Sequence, residues 1–143
     1  MCSGGRYDSL ATDGRTTYPG VGISIGLTRL VHLLVAKRGL TASRSTPAAV
    51  LVAVVDEETR GTSQGVAAAL RARGIPCEVA PSAAKFGKQI RYADRRGIPF
   101  VWFPGAGEGG DQVKDIRSGE QVDADAATWQ CPEADLKPTV VTR

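Results

Sequence analysis

A continuous apolar run at residues 49–55 constrains the fold of this chain more than any other feature. The run is rich in valine, a β-branched residue that favours strands, and no polar residue interrupts it. An unbroken apolar strand of this kind is buried on both faces, so it lies inside a sheet that helices cover from both sides. The sequence therefore predicts a mostly parallel sheet from this segment onward.

Helical and extended patterns alternate after the run, each closed by a turn residue. The predicted elements are a helix at 62–73, a strand at 76–80, a helix at 83–96, a strand at 99–103, a glycine-rich loop at 104–110, strands at 112–116 and 120–122, and a last helix at 123–129. This alternation predicts an α/β fold: a three-layer α/β/α domain around a mixed sheet of about five strands, with a hairpin at one edge.

A glycine-spaced tract occupies residues 20–26, where apolar residues alternate with small ones as in a strand. Glycines at this spacing let the backbone lie close to a flat ligand. The tract runs into a helix predicted at 27–38, with Gly39 as its stop. Arg29, near the helix start, is placed to stack on an aromatic ring or to fork onto a phosphate. A surface arginine that covers apolar neighbours is the alternative.

Two further segments at the front of the chain have more than one interpretation. Residues 4–8, Gly-Gly-Arg-Tyr-Asp, are typical of a turn that enters a strand, or they place Tyr7 in a small polar pocket. Residues 41–47 have the composition of a linker. The predicted organisation is a first segment at 1–40, the linker at 41–47, a domain at 48–130, and a flexible tail at 131–143.

Composition excludes several classes of protein. Three widely spaced cysteines and a single histidine predict neither a disulfide framework nor a metal site. The acidic residues at 56–58 are better explained as charges at the N-terminal end of a helix than as metal ligands. The spacing of the cysteines indicates reduced thiols in a cytosolic protein. No apolar stretch is long enough to cross a bilayer, so we expect no membrane partner. The net charge of +3 permits a polyanionic partner without requiring one.

Positive charge is concentrated on the second predicted helix. Residues 85–96 carry five basic residues and one acidic residue. Basic side chains beside a tyrosine suit RNA, because cations meet phosphates and the aromatic ring stacks on an unpaired base. A solvated helix face is the alternative interpretation. The candidate RNA-binding residues are Lys85, Lys88, Gln89, Arg91 and Arg95, with Tyr92 as a stacking residue.

Several motifs, taken in order, resemble the histidyl-tRNA synthetase family of class II aminoacyl-tRNA synthetases. Residues 4–10, GGRYDSL, match a family signature near the histidine pocket, and residues 20–30, GVGISIGLTRL, match class II motif 3. Residues 85–103, KFGKQIRYADRRGIPFVWF, and residues 111–121, DQVKDIRSGEQ, look like the C-terminal anticodon-binding domain of that family.

The resemblance implies specific roles. Arg29 would stack on the ATP adenine, Gly26 would lie beneath the nucleotide, and Tyr7 and Gly5 would line the histidine pocket. Residues 48–130 would bind the anticodon arm of tRNA, and residues 1–40 would be a strand–helix remnant of the catalytic domain. Thr28 departs from the family, which usually has an acidic residue before the arginine.

The same resemblance implies a homodimeric, cytoplasmic enzyme that uses ATP and magnesium in the complete protein. Class II motifs 1 and 2 have no counterpart in this sequence, so we expect no complete catalytic site, no bound cofactor and no activity for the chain alone. Two other hypotheses remain open at this point. The chain could be a free-standing RNA-binding module, or a protein-interaction module that uses the apolar face of the helix at 27–38, formed by Leu27, Leu30, Val31 and Leu34.

Overall fold

The computed structural model describes residues 2–142, which fall into two compact units. One unit comprises residues 2–41 together with 141 and 142, and the other comprises Ala42–Val140. Each has its own secondary structure, and the larger unit contains every residue that the chain buries within the described range.

The smaller unit begins with a long hairpin. Strand β1 (Cys2–Thr12) pairs antiparallel with β2 (Thr17–Ile25), so the glycine tract is a strand as predicted. Asp13 closes the turn, because its carboxylate accepts hydrogen bonds from the backbone N–H groups of Arg15 and Thr16 at 2.8 and 2.7 Å. Residues 4–8 lie inside β1, so the interpretation of this segment as a turn is wrong.

Helix α1 (Leu27–Arg38) follows β2 with the predicted bounds. Its C-terminal turn carries Lys37 and Arg38, where positive charge is favourable, and it ends at Gly39, whose φ of 62° lies in the left-handed region. Strand β3 (Leu40–Ala42) comes next and pairs with β9 (Val140–Thr142) in a two-stranded sheet.

The larger unit contains the predicted alternation of strands and helices. Its remaining elements are β4 (Val50–Val52), α2 (Arg60–Ala72), β5 (Cys77–Val79), α3 (Phe86–Arg96), β6 (Phe100–Gly107), β7 (Gly110–Asp115), β8 (Gln121–Ala124) and α4 (Glu133–Leu136). Five of these strands form one sheet in the order β5-β4-β6-β7-β8. The pairs that β4 makes with β5 and β6 are parallel, and the pairs that β7 makes with β6 and β8 are antiparallel. The mixed five-stranded sheet is therefore confirmed.

Alternate residues of the central strands point to opposite faces of this sheet. On one face, Val50, Val52 and Trp102 pack with Ala67 and Leu70 of α2. The opposite face carries a second cluster, in which the members are Leu51, Ala53, Val101, Phe103 and, from α3, Ala93. One helix covers each face, so the unit has the three layers that the apolar run predicts.

Two predicted elements of the larger unit are wrong. Residues 123–129 form no helix: β8 extends through Ala124, and Asp125 then caps a turn by accepting a hydrogen bond from the backbone N–H of Ala127 at 2.7 Å. Residues 104–110 are not a loop throughout, because β6 continues to Gly107 and pairs there with Gly110 of β7. In both cases strand pairing extends farther than the local sequence pattern indicates.

The segments predicted as a linker and a flexible tail also differ from expectation. In the linker segment, Thr46 is buried, and Arg44 donates hydrogen bonds to the backbone oxygens of Thr46 and Asp135 at 3.1 and 2.8 Å. The tail segment contains α4 and β9 and buries Cys131. Burial raises the pKa of the Cys131 thiol to about 11. A single arginine thus connects two segments that composition alone assigns to irregular chain.

Glu78 on β5 connects three elements of the larger unit. Its carboxylate accepts hydrogen bonds from the hydroxyl of Thr46 and from the Tyr92 hydroxyl at 3.1 Å, and it pairs with Arg96 at 3.3 Å. Burial alone raises the pKa of Glu78, but the hydrogen bonds and the charge of Arg96 outweigh it, so the pKa is lowered. The ionised carboxylate therefore holds α3 and the segment before β4 against the edge strand.

We expect the substitution Glu78→Gln to destabilise the chain by about 1–2 kcal/mol at neutral pH, because charge-assisted hydrogen bonds are lost. Since the folded-state pKa is lowered, this stabilisation is present above the ordinary pKa of glutamate and disappears as the pH falls through the folded-state value. Urea unfolding at several pH values should show the difference from wild type shrinking at acid pH. Glu58→Gln, at an exposed site, is the control. A difference that does not depend on pH would contradict this assignment.

Candidate nucleic-acid interface

Four exposed basic residues form a stripe along the outer side of α3. We call Lys85, Lys88, Arg91 and Arg95 the basic stripe. At 3.6 residues per turn, their spacing places them within a sector of about 120°. The buried residues Gln89 and Ala93 lie outside this sector, on the side of the helix that packs against the sheet. None of the four belongs to a salt bridge formed within residues 2–142.

The position of two of these charges is not explained by helix stability. Basic residues in the last turn of α3, such as Arg95, interact favourably with the helix dipole. Lys85 is the N-cap residue and Lys88 lies in the first turn, where the dipole disfavours positive charge, and no acidic residue occupies that turn. A positive N-terminal end on an exposed helix therefore points to an anionic partner.

Gln89 is the one candidate RNA-binding residue that is contradicted by the structure. It is only 3% exposed. Its side-chain amide accepts a hydrogen bond from the Val54 backbone N–H at 3.0 Å and donates one to the Val54 carbonyl at 2.8 Å. Gln89 therefore attaches α3 to the backbone of Val54 and is not available to contact RNA. Helical periodicity places Gln89 on the same side of the helix as Ala93. It was predicted to be exposed only because its side chain is polar.

Tyr92 is also less available than the sequence suggests. It is partly buried, its hydroxyl donates to Glu78, and the Arg96 guanidinium lies over its ring at 5.8 Å from the centroid. The ring already has a cation on one face. Tyr92 and Arg96 therefore serve the attachment of α3 to β5, and the basic stripe stands without them.

A row of polar side chains on the same sheet face as α3 is missed by sequence reasoning. Residues that pair across antiparallel strands point to one face, and the registers Phe103↔Gln112 and Gln112↔Asp123 continue from the core to the outermost strand. The next row pairs Lys114 with Gln121. We call Gln112, Lys114, Gln121 and Asp123 the polar row. The alternation of residues in β7 is visible in the sequence, but which face it shares with α3 depends on strand order.

Two of the acidic residues at 56–58, Asp56 and Glu57, make contacts at the start of α2, as predicted. The Asp56 carboxylate accepts a hydrogen bond from the Thr59 backbone N–H at 2.7 Å, and Glu57 pairs with Arg60 at 2.6 Å. The hydrogen bond from Arg60 is the main reason that the pKa of Glu57 is lowered to about 2. Within residues 2–142, no three histidine, cysteine or acidic side chains come together as a metal site.

The candidate ligand-binding residues of the smaller unit lie at two places along the hairpin. Gly26 and Arg29 line one pocket of about 360 Å³, together with Cys2, Ser3, Ser24, Leu27 and Thr28. Arg29 is exposed and belongs to none of the salt bridges formed within the described part of the chain. Tyr7 pairs with Gly20, and its ring lies against Gly22, where a β-carbon would come within 2.8 Å of the ring. Gly5 pairs with Gly22.

Comparison with known proteins identifies the family of the larger unit. A family model described as "Anticodon binding domain" matches residues 49–128. This range runs from the strand β4 through the sheet and both covering helices, and it includes the basic stripe and the polar row. The chain belongs to the anticodon-binding domain family.

The relatives to which this chain is similar are histidine–tRNA ligases. The enzyme of Cutibacterium acnes is 63% identical over 145 residues, which cover 99% of this chain and 32% of that enzyme. The enzyme of Micrococcus luteus is 58% identical over 143 residues, covering 98% and 31%. The crystal structure of histidyl-tRNA synthetase from Nostoc sp. PCC 7120 matches with a TM-score of 0.56 and 39% identity, covering 88% of this chain and 31% of that one.

The chain thus spans about a third of the length of the curated relatives it matches. The similarity includes the smaller unit, because it covers nearly all of the chain. A free-standing RNA-binding module or a protein-interaction module is therefore not favoured. No helix among residues 2–142 combines the length and the apolar character that a bilayer crossing requires.

We expect Gln89→Leu to lower the free energy of unfolding by about 2–4 kcal/mol, because two buried backbone groups of Val54 lose their partners. Lys88→Leu, one position earlier and exposed, should change it by less than about 0.5 kcal/mol. Urea unfolding of the two variants measures both. Equal stabilities would contradict the assignment of Gln89 as a structural residue.

Proposed function

We propose that the larger unit binds the anticodon arm of histidine tRNA, as part of a histidine–tRNA ligase. The observation that carries this proposal is the basic stripe on α3: four exposed cations on an anticodon-binding domain, two of them at the helix end where the dipole opposes them. The high identity to histidine–tRNA ligases supports histidine tRNA as the partner.

The stripe sets the expected strength of the electrostatic contribution. Each phosphate that a lysine or arginine neutralises releases counterions, and the slope of log affinity against log salt is about −0.7 to −0.9 per contact. Four contacts give a slope of about −3, so a rise from about 50 to about 200 mM salt weakens binding roughly 50-fold.

We expect the double charge reversal Lys88→Glu with Arg91→Glu to weaken binding of the Cutibacterium acnes histidine tRNA transcript by tenfold or more. The salt slope should become about 2 less steep, since each lost phosphate contact removes about 1. Fluorescence anisotropy across a salt series measures both quantities.

The matched control is Lys37→Glu with Arg38→Glu on α1, which changes the net charge by the same amount at another exposed site. If the two double variants bind alike, the effect comes from a general loss of positive charge and not from the basic stripe. That result would place the phosphate contacts elsewhere and contradict the role of the basic stripe.

We also propose the roles of the smaller unit and of the complete enzyme. Arg29 would stack on the adenine of ATP above Gly26, and Tyr7 with Gly5 would line the histidine pocket. The exposed guanidinium of Arg29, which has no salt-bridge partner among residues 2–142, supports the first role from its place in the pocket. ATP with magnesium would supply the activated phosphate for histidine. The complete enzyme would be a cytoplasmic homodimer that serves protein biosynthesis, without a membrane partner.

We expect the 143-residue chain alone to show no histidine-dependent exchange of pyrophosphate into ATP. In the smaller unit, no side chain of residues 2–41 is buried, so the proposed ATP and histidine sites lack an enclosing wall that would exclude water. The exchange assay, run with the complete Cutibacterium acnes enzyme as the positive control, measures this directly. Turnover that depends on histidine would contradict the proposal that this chain lacks a complete catalytic site.

A further inference from the structure

The polar row lies directly beside the basic helix, on the same face of the sheet. Val101 and Phe103 of β6 are covered by α3, and their register partners on β7 are Lys114 and Gln112. The sheet then continues through β7 to β8, the outermost strand, whose Gln121 and Asp123 are exposed. A strip of amide, ammonium and carboxylate groups therefore extends the surface of α3 across the uncovered half of the sheet.

Phe86 stands at the junction between the helix and the row. It is the first residue of α3, and its ring packs edge-on against Phe103 at 5.0 Å between centroids. Phe86 is nevertheless 40% exposed. An aromatic ring that is held in place by a buried neighbour and open on another side is a platform on which an unpaired base can stack.

Three of the four side chains of the row, those of Gln112, Gln121 and Asp123, are held in order by one another. Gln121 donates from its amide nitrogen to the Gln112 oxygen at 2.7 Å, and Gln112 donates to one Asp123 oxygen at 2.9 Å. Gly107 faces the row without a side chain, since a β-carbon there would come within 2.9 Å of the Asp123 carboxylate. These three side chains are therefore pre-ordered, and two of them, Gln121 and Asp123, are exposed.

The row also retains hydrogen-bonding capacity. An amide can donate two hydrogen bonds and accept two, and a carboxylate can accept about four. Within the described residues, the other Asp123 oxygen and the Gln121 side-chain oxygen have no hydrogen-bond donor. Each glutamine has one N–H group in excess of these bonds. Donors and acceptors thus alternate along an exposed sheet edge, which matches the edge of a nucleobase.

Charge separates this surface into two parts. The basic stripe attracts phosphates, whereas the Asp123 carboxylate repels them. Lys85 of the stripe directly precedes Phe86 in the sequence. The Phe86 ring packs against Phe103, whose register partner is Gln112, so the stripe meets the row at Phe86. A single strand whose phosphates follow the stripe would turn its bases toward Phe86 and the polar row.

We propose that the polar row reads unpaired bases of the anticodon loop, with Phe86 as the stacking platform and Asp123 as the main specificity-determining residue. Asp123 would accept hydrogen bonds from a base whose Watson–Crick edge carries adjacent N–H donors, which is guanine. Gln112 and Gln121 would orient Asp123 and contact the neighbouring base. This inference rests on the proposed function, because it assumes that the larger unit binds the anticodon arm.

The test compares Asp123→Asn, Gln121→Ala and Phe86→Leu with the wild-type chain. The probes are anticodon-arm transcripts of the Cutibacterium acnes histidine tRNA, in which each loop guanosine is replaced in turn by inosine, which lacks the 2-amino group. We expect one replacement to weaken wild-type binding about tenfold and to have no effect on Asp123→Asn, which has already lost that contact. Phe86→Leu should weaken every transcript by a similar factor.

Gln64→Ala on α2 is the matched control, because Gln64 is exposed on the helix that packs against the other sheet face. It should bind and discriminate as wild type does. Gln121→Ala, at a second exposed site of the row, should reduce the inosine effect without abolishing it. This variant keeps the test informative if Asp123→Asn affects β8.

The outcomes separate the two proposals. If wild type binds the transcripts and Asp123→Asn still responds to inosine as wild type does, the bases are read elsewhere and this inference is wrong. The same conclusion follows if no inosine replacement affects wild type. If wild type binds no transcript at all, the proposed function itself fails, and the salt series on the basic stripe would fail with it.

Discussion

The burial of β4 on both faces is the constraint on which the larger unit depends. Val50, Leu51 and Val52 are completely buried, and each pairs with both β5 and β6. Because side chains alternate along a strand, Val50 and Val52 hold α2 while Leu51 holds the layer of α3. A polar residue at any of these positions would lose its hydrogen bonds to water without gaining others. The three layers follow from this one apolar strand.

The rotation of α3 about its own axis is fixed by polar contacts, and it determines which residues face solvent. Gln89 binds both backbone groups of Val54, and Tyr92 with Arg96 binds Glu78 on β5. With these sides of the helix attached, the basic stripe is left on the outside. Buried hydrogen bonds are directional, whereas apolar packing tolerates some rotation, so the polar contacts give the stripe its orientation.

Local sequence patterns correctly predicted the elements in which the spacing of apolar residues matches the side that is buried. The valine-rich strand, the helices α2 and α3 and the five-stranded sheet each have a periodicity that matches their burial. The pattern failed where long-range contacts decide. Residues 123–124 extend β8 because β7 pairs with them, and Thr46 is buried because Arg44 reaches the carbonyl of Asp135, 91 residues away. No window of neighbouring residues contains that information.

The candidate site shows the same division. The four members of the basic stripe were among the predicted RNA-binding residues, because they concentrate positive charge within eleven residues of one predicted helix. The polar row could not be predicted in this way, because Phe86, Gln112 and Asp123 become neighbours only through the strand order β6-β7-β8. Gln89 was misassigned for a related reason: a glutamine on the inner side of a helix is stable only if a backbone partner such as Val54 lies opposite, and the sequence does not show what lies opposite.

Apolar strand residues have opposite environments in the two units. In the larger unit, Val50 and Leu51 are fully buried, whereas Val21 and Ile23 in the glycine tract are 85% and 78% exposed. A two-stranded hairpin has no second layer, so its apolar residues contribute little free energy however regular their alternation. The alternation of apolar and small residues in β2 is therefore compatible with strand pairing, but the apolar side chains stay exposed. Its apolar faces and the open pocket of Arg29 have the same physical origin, because a single hairpin and helix supply only one side of any enclosed site.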